Sequence, residues 1–259
     1  MSVTRLQSRE PRPPARARLF CFPYAGVGGS VYRLWQNGLP HSLEVCTVNL
    51  PGREQRFREA PRTSIDELVD ELVPALLPHL DLPFCIFGHS MGAVLASEVT
   101  RALAEAGNPL PQHLLVSGRR PPHILGTESP MHGLSDPAFI AELNRRYRGI
   151  PAEILEQPDL MALFIPVLRA DLTALETHAP ARRSPLSCPI TAFGGADDRL
   201  TPREHLEAWR SETSAAFQVR VYPGDHFYLN SERPRLLADI AAVLKPMLIE
   251  PSSLWSARA

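Results

Sequence analysis

Six short apolar runs recur along this chain, at residues 18–22, 44–49, 84–87, 113–117, 189–193 and 217–222. They are near-continuous in hydrophobicity rather than alternating, the pattern of strands covered on both faces. Helical patterns separate them. One spans 65–80 behind Ser64 as N-cap. Another spans 91–106, where Met91, Val94, Leu95, Val99 and Leu103 repeat at helical spacing and Gly107 supplies the stop. Two more cover 204–212 and 235–248. Strand–helix alternation of this kind implies a mostly parallel sheet flanked by helices, an α/β fold. The 259 residues, 44% of them hydrophobic and 21% charged, are enough for one such domain with a sizeable core.

A formal net charge of -1 excludes a chain that coats nucleic acid or an anionic membrane by bulk charge. No apolar stretch approaches the roughly 18 residues of a membrane span, and residues 1–14 contain no apolar signal-peptide core. A cytoplasmic protein with no nucleic-acid or membrane partner is expected, with a monomer as the default. Arg5, Arg9, Arg12 and Arg16, interleaved with Pro11, Pro13 and Pro14, predict a disordered tail over 1–17. The domain then covers 18–250, and 251–259 form a C-terminal tail. Cys21, Cys46, Cys85 and Cys188 are irregularly spaced with no CxxC pair, so buried free thiols are expected and no metal site.

Residues 119–187 exceed several-fold the run of about a dozen that a crossover needs. Asp136 and Pro137 read as N-cap and first residue of a helix to Tyr147. A second helix, 159–176, carries Leu160, Leu163, Phe164, Val167, Leu168, Leu172 and Leu175 as an apolar stripe, with Pro166 as a kink. The stretch is expected to be an inserted helical lid over the end of the sheet where loops carry chemistry.

Gly88-His89-Ser90-Met91-Gly92 joins the run Phe84-Cys85-Ile86-Phe87 directly to the helix at Met91. A strand–sharp turn–helix around GxSxG is a nucleophile elbow: the turn thrusts the Ser90 hydroxyl outward, and the glycines let strand and helix pass closely. A serine hydroxyl needs a base, and His226 lies in a loop just after the last strand. The base needs an acid to fix its tautomer. Asp198, in Gly194-Gly195-Ala196-Asp197-Asp198, is the first choice, with Asp197 and then Asp136 as alternatives. The order Ser90, Asp198, His226 is that of α/β hydrolases. The Met91 N–H and one from Phe22-Pro23-Tyr24-Ala25-Gly26, Ala25 ahead of Tyr24, would form an oxyanion hole.

Together with Leu50-Pro51-Gly52-Arg53, Ser117-Gly118-Arg119 and Gly224-Asp225-His226-Phe227-Tyr228-Leu229, these motifs resemble the stand-alone type II thioesterases of nonribosomal peptide and polyketide synthesis. The resemblance covers roughly 19–247; Gly224-Asp225-His226 stands where the family often has Gly-Gly-His. It implies an α/β-hydrolase fold with a helical lid, and hydrolysis of acyl thioesters on the phosphopantetheine arm of a carrier domain, with no metal or organic cofactor. Tyr147, Phe164 and Leu168 of the lid would then line the acyl pocket. Arg145, Arg146 and Arg148, with Arg182 and Arg183, are candidates for meeting an acidic carrier, although solvated surface charge is the commoner role of such residues. A small-molecule carboxylesterase or lipase on the same fold is the close rival. An acyltransferase fits less well, because Ala93 follows Gly92 where those enzymes usually place Glu.

Overall fold

The computed structural model describes residues 6–8, 15–147, 157–180 and 182–249. Seven strands form one sheet in the order β1-β3-β2-β4-β5-β6-β7. They are β1 (Leu6–Ser8), β2 (Ala17–Phe22), β3 (Leu43–Val48), β4 (Phe84–His89), β5 (His113–Ser117), β6 (Ile190–Gly195) and β7 (Phe217–Tyr222). All neighbours are parallel except β1, which runs antiparallel to β3.

The apolar runs are continuous because successive side chains enter two different cores. Phe20, Phe22, Phe84 and Ile86 pack on one face, with α1 (Ile65–Leu76), α2 (Met91–Glu105) and Leu168 and Leu172 of α4 (Pro158–Thr177). Leu19, Cys21, Cys85 and Phe87 pack on the other, with Tyr32, Trp35 and the apolar side of α7 (Arg233–Ile249). Each such fully buried Leu or Phe stabilises the fold by roughly 1.5–3 kcal/mol. The remaining helices are α3 (Asp136–Tyr147), α5 (Arg203–Glu207) and α6 (Tyr228–Ser231). All four cysteines are buried and unbridged. Among the described residues no helix is long and apolar enough to cross a membrane.

Several expected boundaries shift. The first helix ends at Leu76, and a 3-10 turn covers Leu77–His79, where Pro78 removes a donor. The 204–212 pattern divides into α5 and a 3-10 segment, Ala208–Glu212. Pro166 sits inside α4, which runs on through it. The expected tail is corrected at both ends of its inner part. Ala17 already belongs to β2, and Leu6–Ser8 pairs with Cys46–Val48. Three residues are too few to show a period, yet they cover backbone groups that an edge strand would leave open. The rest of that tail over 1–5 and 9–14, the 251–259 tail and Arg148 lie outside the described residues.

Position in the sheet decides where chemistry can occur. From β2 the chain passes to β3 on one side, then to β4 on the other. The carboxyl ends of β2 and β4 therefore flank a switch point, where open parallel sheets form a crevice. The whole arrangement is an α/β-hydrolase fold, with α3 and α4 inserted between β5 and β6.

Candidate active site

Ser90 follows β4 directly, at φ 54° and ψ -113°, in a region hostile to side chains. Glu54 is its only non-glycine companion at positive φ among the described residues. Two glycines make the turn possible. A Cβ on Gly88 would overlap the Gly92 carbonyl, and one on Gly92 would overlap the Phe22 carbonyl. The Ser90 N–H donates to Ser117 O at 2.8 Å, which ties the elbow to the end of β5. Met91 opens α2, so its N–H is one of the amides without an intrahelical acceptor, at the positive end of the helix dipole.

Register brings the loops after β4, β5, β6 and β7 to one edge, with His89 opposite Ser117, Ser117 opposite Phe193, and Gly195 opposite Tyr222. Asp198 and His226 meet there. His226 Nδ1 lies 2.8 Å from Asp198 Oδ2, and both side chains are buried. An ionised carboxylate only accepts, so Nδ1 carries the hydrogen and Nε2 keeps the lone pair of a base. The other oxygen, Oδ1, accepts from the backbone N–H groups of Leu200 at 3.0 Å and Thr201 at 3.2 Å. The alternatives to Asp198 are occupied otherwise: Asp197 is exposed and Asp136 pairs with Arg169. Among the described residues no hydrogen bond joins the Ser90 hydroxyl to His226. His89, next to Ser90 in the chain, has its ring centroid 4.9 Å from that of His226.

The loop after β2 bears the candidates for a second donor. Gly26 N–H is taken by Asp171 Oδ2 at 2.7 Å, which leaves Ala25 and Tyr24 as candidates. Ala25 packs against the core. Tyr147 reaches the site from α3, its ring 5.3 Å from that of His226. Phe164 and Leu168 descend from α4 onto Gly26, where an added Cβ would meet them at 3.0–3.2 Å. Tyr147 also separates two hollows. One of about 270 Å³ lies under the insertion among Val94, Arg120, Leu172 and Leu175. The other, of about 790 Å³, opens outward past Asp198, Arg203 and His226. The surface arginines have internal partners: Arg145 and Arg146 bond Glu142, and Arg183 bonds Glu98.

Two participants were not legible beforehand. The His89 ring is buried beside His226, with Nδ1 2.8 Å from Ser117 Oγ, which in turn meets Tyr228 OH at 2.6 Å. Burial, reinforced by the neighbouring His226, pushes its pKa well below the usual imidazole value, so it stays neutral. Its position just before the nucleophile is the signal that could have found it. Asp171 is fully buried and pairs in bidentate fashion with Arg53. An acid set between Ala170 and Leu172, beside the helix's apolar stripe, is the signal available in the sequence.

A family model described as a thioesterase domain matches residues 17–244. The gramicidin S biosynthesis protein GrsT of Aneurinibacillus migulanus is 39% identical over 90% of this chain and 91% of its own length. RedJ, a thioesterase from the prodiginine pathway of Streptomyces coelicolor, shares 42% identity at a TM-score of 0.84, covering 91% of this chain and 94% of RedJ. BorB, a type II thioesterase from the borrelidin cluster, shares 34% at a TM-score of 0.83, covering 95% and 98%. With Ser90 at the elbow of that fold and the match running through nearly all of it, this chain belongs to the thioesterase family, as a type II thioesterase of nonribosomal peptide and polyketide biosynthesis.

Proposed function

We propose that this thioesterase hydrolyses acyl groups from the phosphopantetheine arm of a carrier protein through an acyl-Ser90 intermediate, clearing aberrant acyl chains. The observation that carries the reading is the buried 2.8 Å contact between His226 Nδ1 and Asp198, formed at the sheet edge that also holds Ser90. Ser90 Oγ attacks the thioester carbonyl while His226 Nε2 takes its proton. The N–H groups of Met91 and Ala25 hold the tetrahedral oxyanion. The intermediate collapses, and the leaving thiolate takes the proton from His226. Water, deprotonated by the same nitrogen, attacks the acyl-enzyme; the acid leaves and Ser90 regains its proton. Asp198 keeps the imidazole in the required tautomer throughout.

Residues 119–187 act as the lid in this scheme, and Tyr147, Phe164 and Leu168 line the acyl pocket. The partner is an acyl-loaded carrier protein, met by a cytoplasmic monomer. Support comes from the relatives: GrsT, RedJ and BorB are each named for the biosynthesis of a natural product. The test offers acyl-carrier protein, acyl-CoA and p-nitrophenyl esters of one chain length and compares kcat/KM. The carrier-bound thioester is expected to lead. A strong preference for the simple ester would favour the carboxylesterase alternative instead.

A further inference from the structure

Helix α4 places one acid in its apolar side, and that acid joins three segments of the chain. Asp171 Oδ1 accepts from Arg53 Nη2 at 2.8 Å. Oδ2 accepts from Arg53 Nη1 at 2.5 Å and from the Gly26 N–H at 2.7 Å. Arg53 also donates from Nε to Pro51 O at 3.1 Å and from Nη1 to Val27 O at 3.4 Å. The inserted helix, the loop after β2 and the loop after β3 are thus held by one buried charge pair. Gly26 stands at φ 81° directly after Ala25, with Phe164 and Leu168 of the same helix packed on it. Rotation of the 22–26 loop would strip Asp171 of an N–H it cannot replace from water, since its carboxylate has no exposure.

We propose that Asp171 is a positioning residue for catalysis: by fixing Gly26 N–H it aims the adjacent Ala25 N–H at the substrate carbonyl. The oxyanion hole is therefore complete only while α4 is seated on the loop. An enzyme in which this contact is broken keeps its triad and loses the aim of one of its two oxyanion donors. The inference rests on the reading of Ser90 as nucleophile and Ala25 as second donor. It goes beyond that reading in assigning the insertion a part in the chemistry as well as in enclosing the acyl chain.

Paired substitutions in the full chain test it, because removing one partner alone strands a buried charge. Arg53→Met with Asp171→Leu removes both charges and the acceptor while keeping bulk. Arg53→Gln with Asp171→Asn keeps an amide oxygen for Gly26. The measurements are kcat and KM on one acyl thioester, with thermal midpoints beside them. The apolar pair is expected to fold and to lose about 10- to 100-fold in kcat, as small misplacements do, with KM changed less than about threefold. The amide pair is expected to recover most of that kcat. Wild-type kcat in the apolar pair, a loss confined to KM, or equal losses in both pairs would overturn the role of Asp171. Should the apolar pair not fold, Asp171→Glu decides: it keeps the charge but displaces the loop by a methylene. Lowered kcat at constant KM then supports the proposal, and wild-type kcat defeats it. Turnover that survives Ser90→Ala would defeat the hydrolase reading itself, a result separate from either outcome at Asp171.

Discussion

Ser90 adopts a backbone conformation that costs on the order of 1–3 kcal/mol for a residue with a side chain, and flanking glycines and a bond to Ser117 hold it there. Replacement by alanine leaves that geometry in place and removes only the hydroxyl. Ser90→Ala is expected to lower kcat by on the order of 10⁶, measured by thiol release, while the protein remains folded. Asp198→Asn should cost about 10³–10⁴ by favouring the wrong tautomer of His226, and Asp197→Asn less than about tenfold; steady-state rates of the two variants check the ranking. Ser90, Asp198 and His226 stand in recognisable motifs, each after an apolar run, so their places at the carboxyl end of the sheet follow from sequence. Of the adjacent carboxylates, the first choice, Asp198, turns inward with its second oxygen held by Leu200 and Thr201, while Asp197 faces solvent. His89 and Asp171 escaped because their meaning lies in partners 28 and 118 residues away, Ser117 and Arg53. No local pattern announces such a distance.

The elements that sequence specified best are those buried on both faces. β4 and α2 follow from a continuous apolar run and a clear helical period, and they stand as expected to within two residues. Less was visible where backbone geometry rather than hydrophobicity decides, as in the 3-10 segment after α5 and the short strand at Leu6–Ser8. Contact between α4 and the loop after β2 offers a direct test of the fold at the level of elements. Gly26→Ala places a Cβ at positive φ and within 3.0–3.2 Å of Leu168 and Phe164. It is expected to destabilise the protein by about 1–3 kcal/mol, read from denaturant midpoints, and to slow turnover in parallel. Leu168→Ala instead opens space beside that loop. A shift of the best substrate toward longer or bulkier acyl chains is expected, measured as kcat/KM across a chain-length series.

At the scale of the whole molecule, stability should depend on acid through histidines buried in neutral form. His113 begins β5 with Nε2 2.8 Å from Thr191 Oγ1, and burial lowers its pKa to about 4. The unfolded chain takes up this proton near pH 6.5, whereas the native one does so near 4. The contribution is therefore complete above pH 6.5 and is lost as pH falls from there toward 4. The loss is at most about 3 kcal/mol, less because water reaches the half-buried ring. Urea midpoints at pH 7 and pH 4.5 should differ, and His113→Gln should narrow the difference. One bond gives the molecule a further property. The amide of Ser90 is fastened to β5, so reactivity toward a fluorophosphonate label depends on two neighbouring strands remaining side by side. Gradual heating should extinguish labelling in step with loss of the sheet, making the nucleophile a built-in gauge of the integrity of the scaffold that carries it.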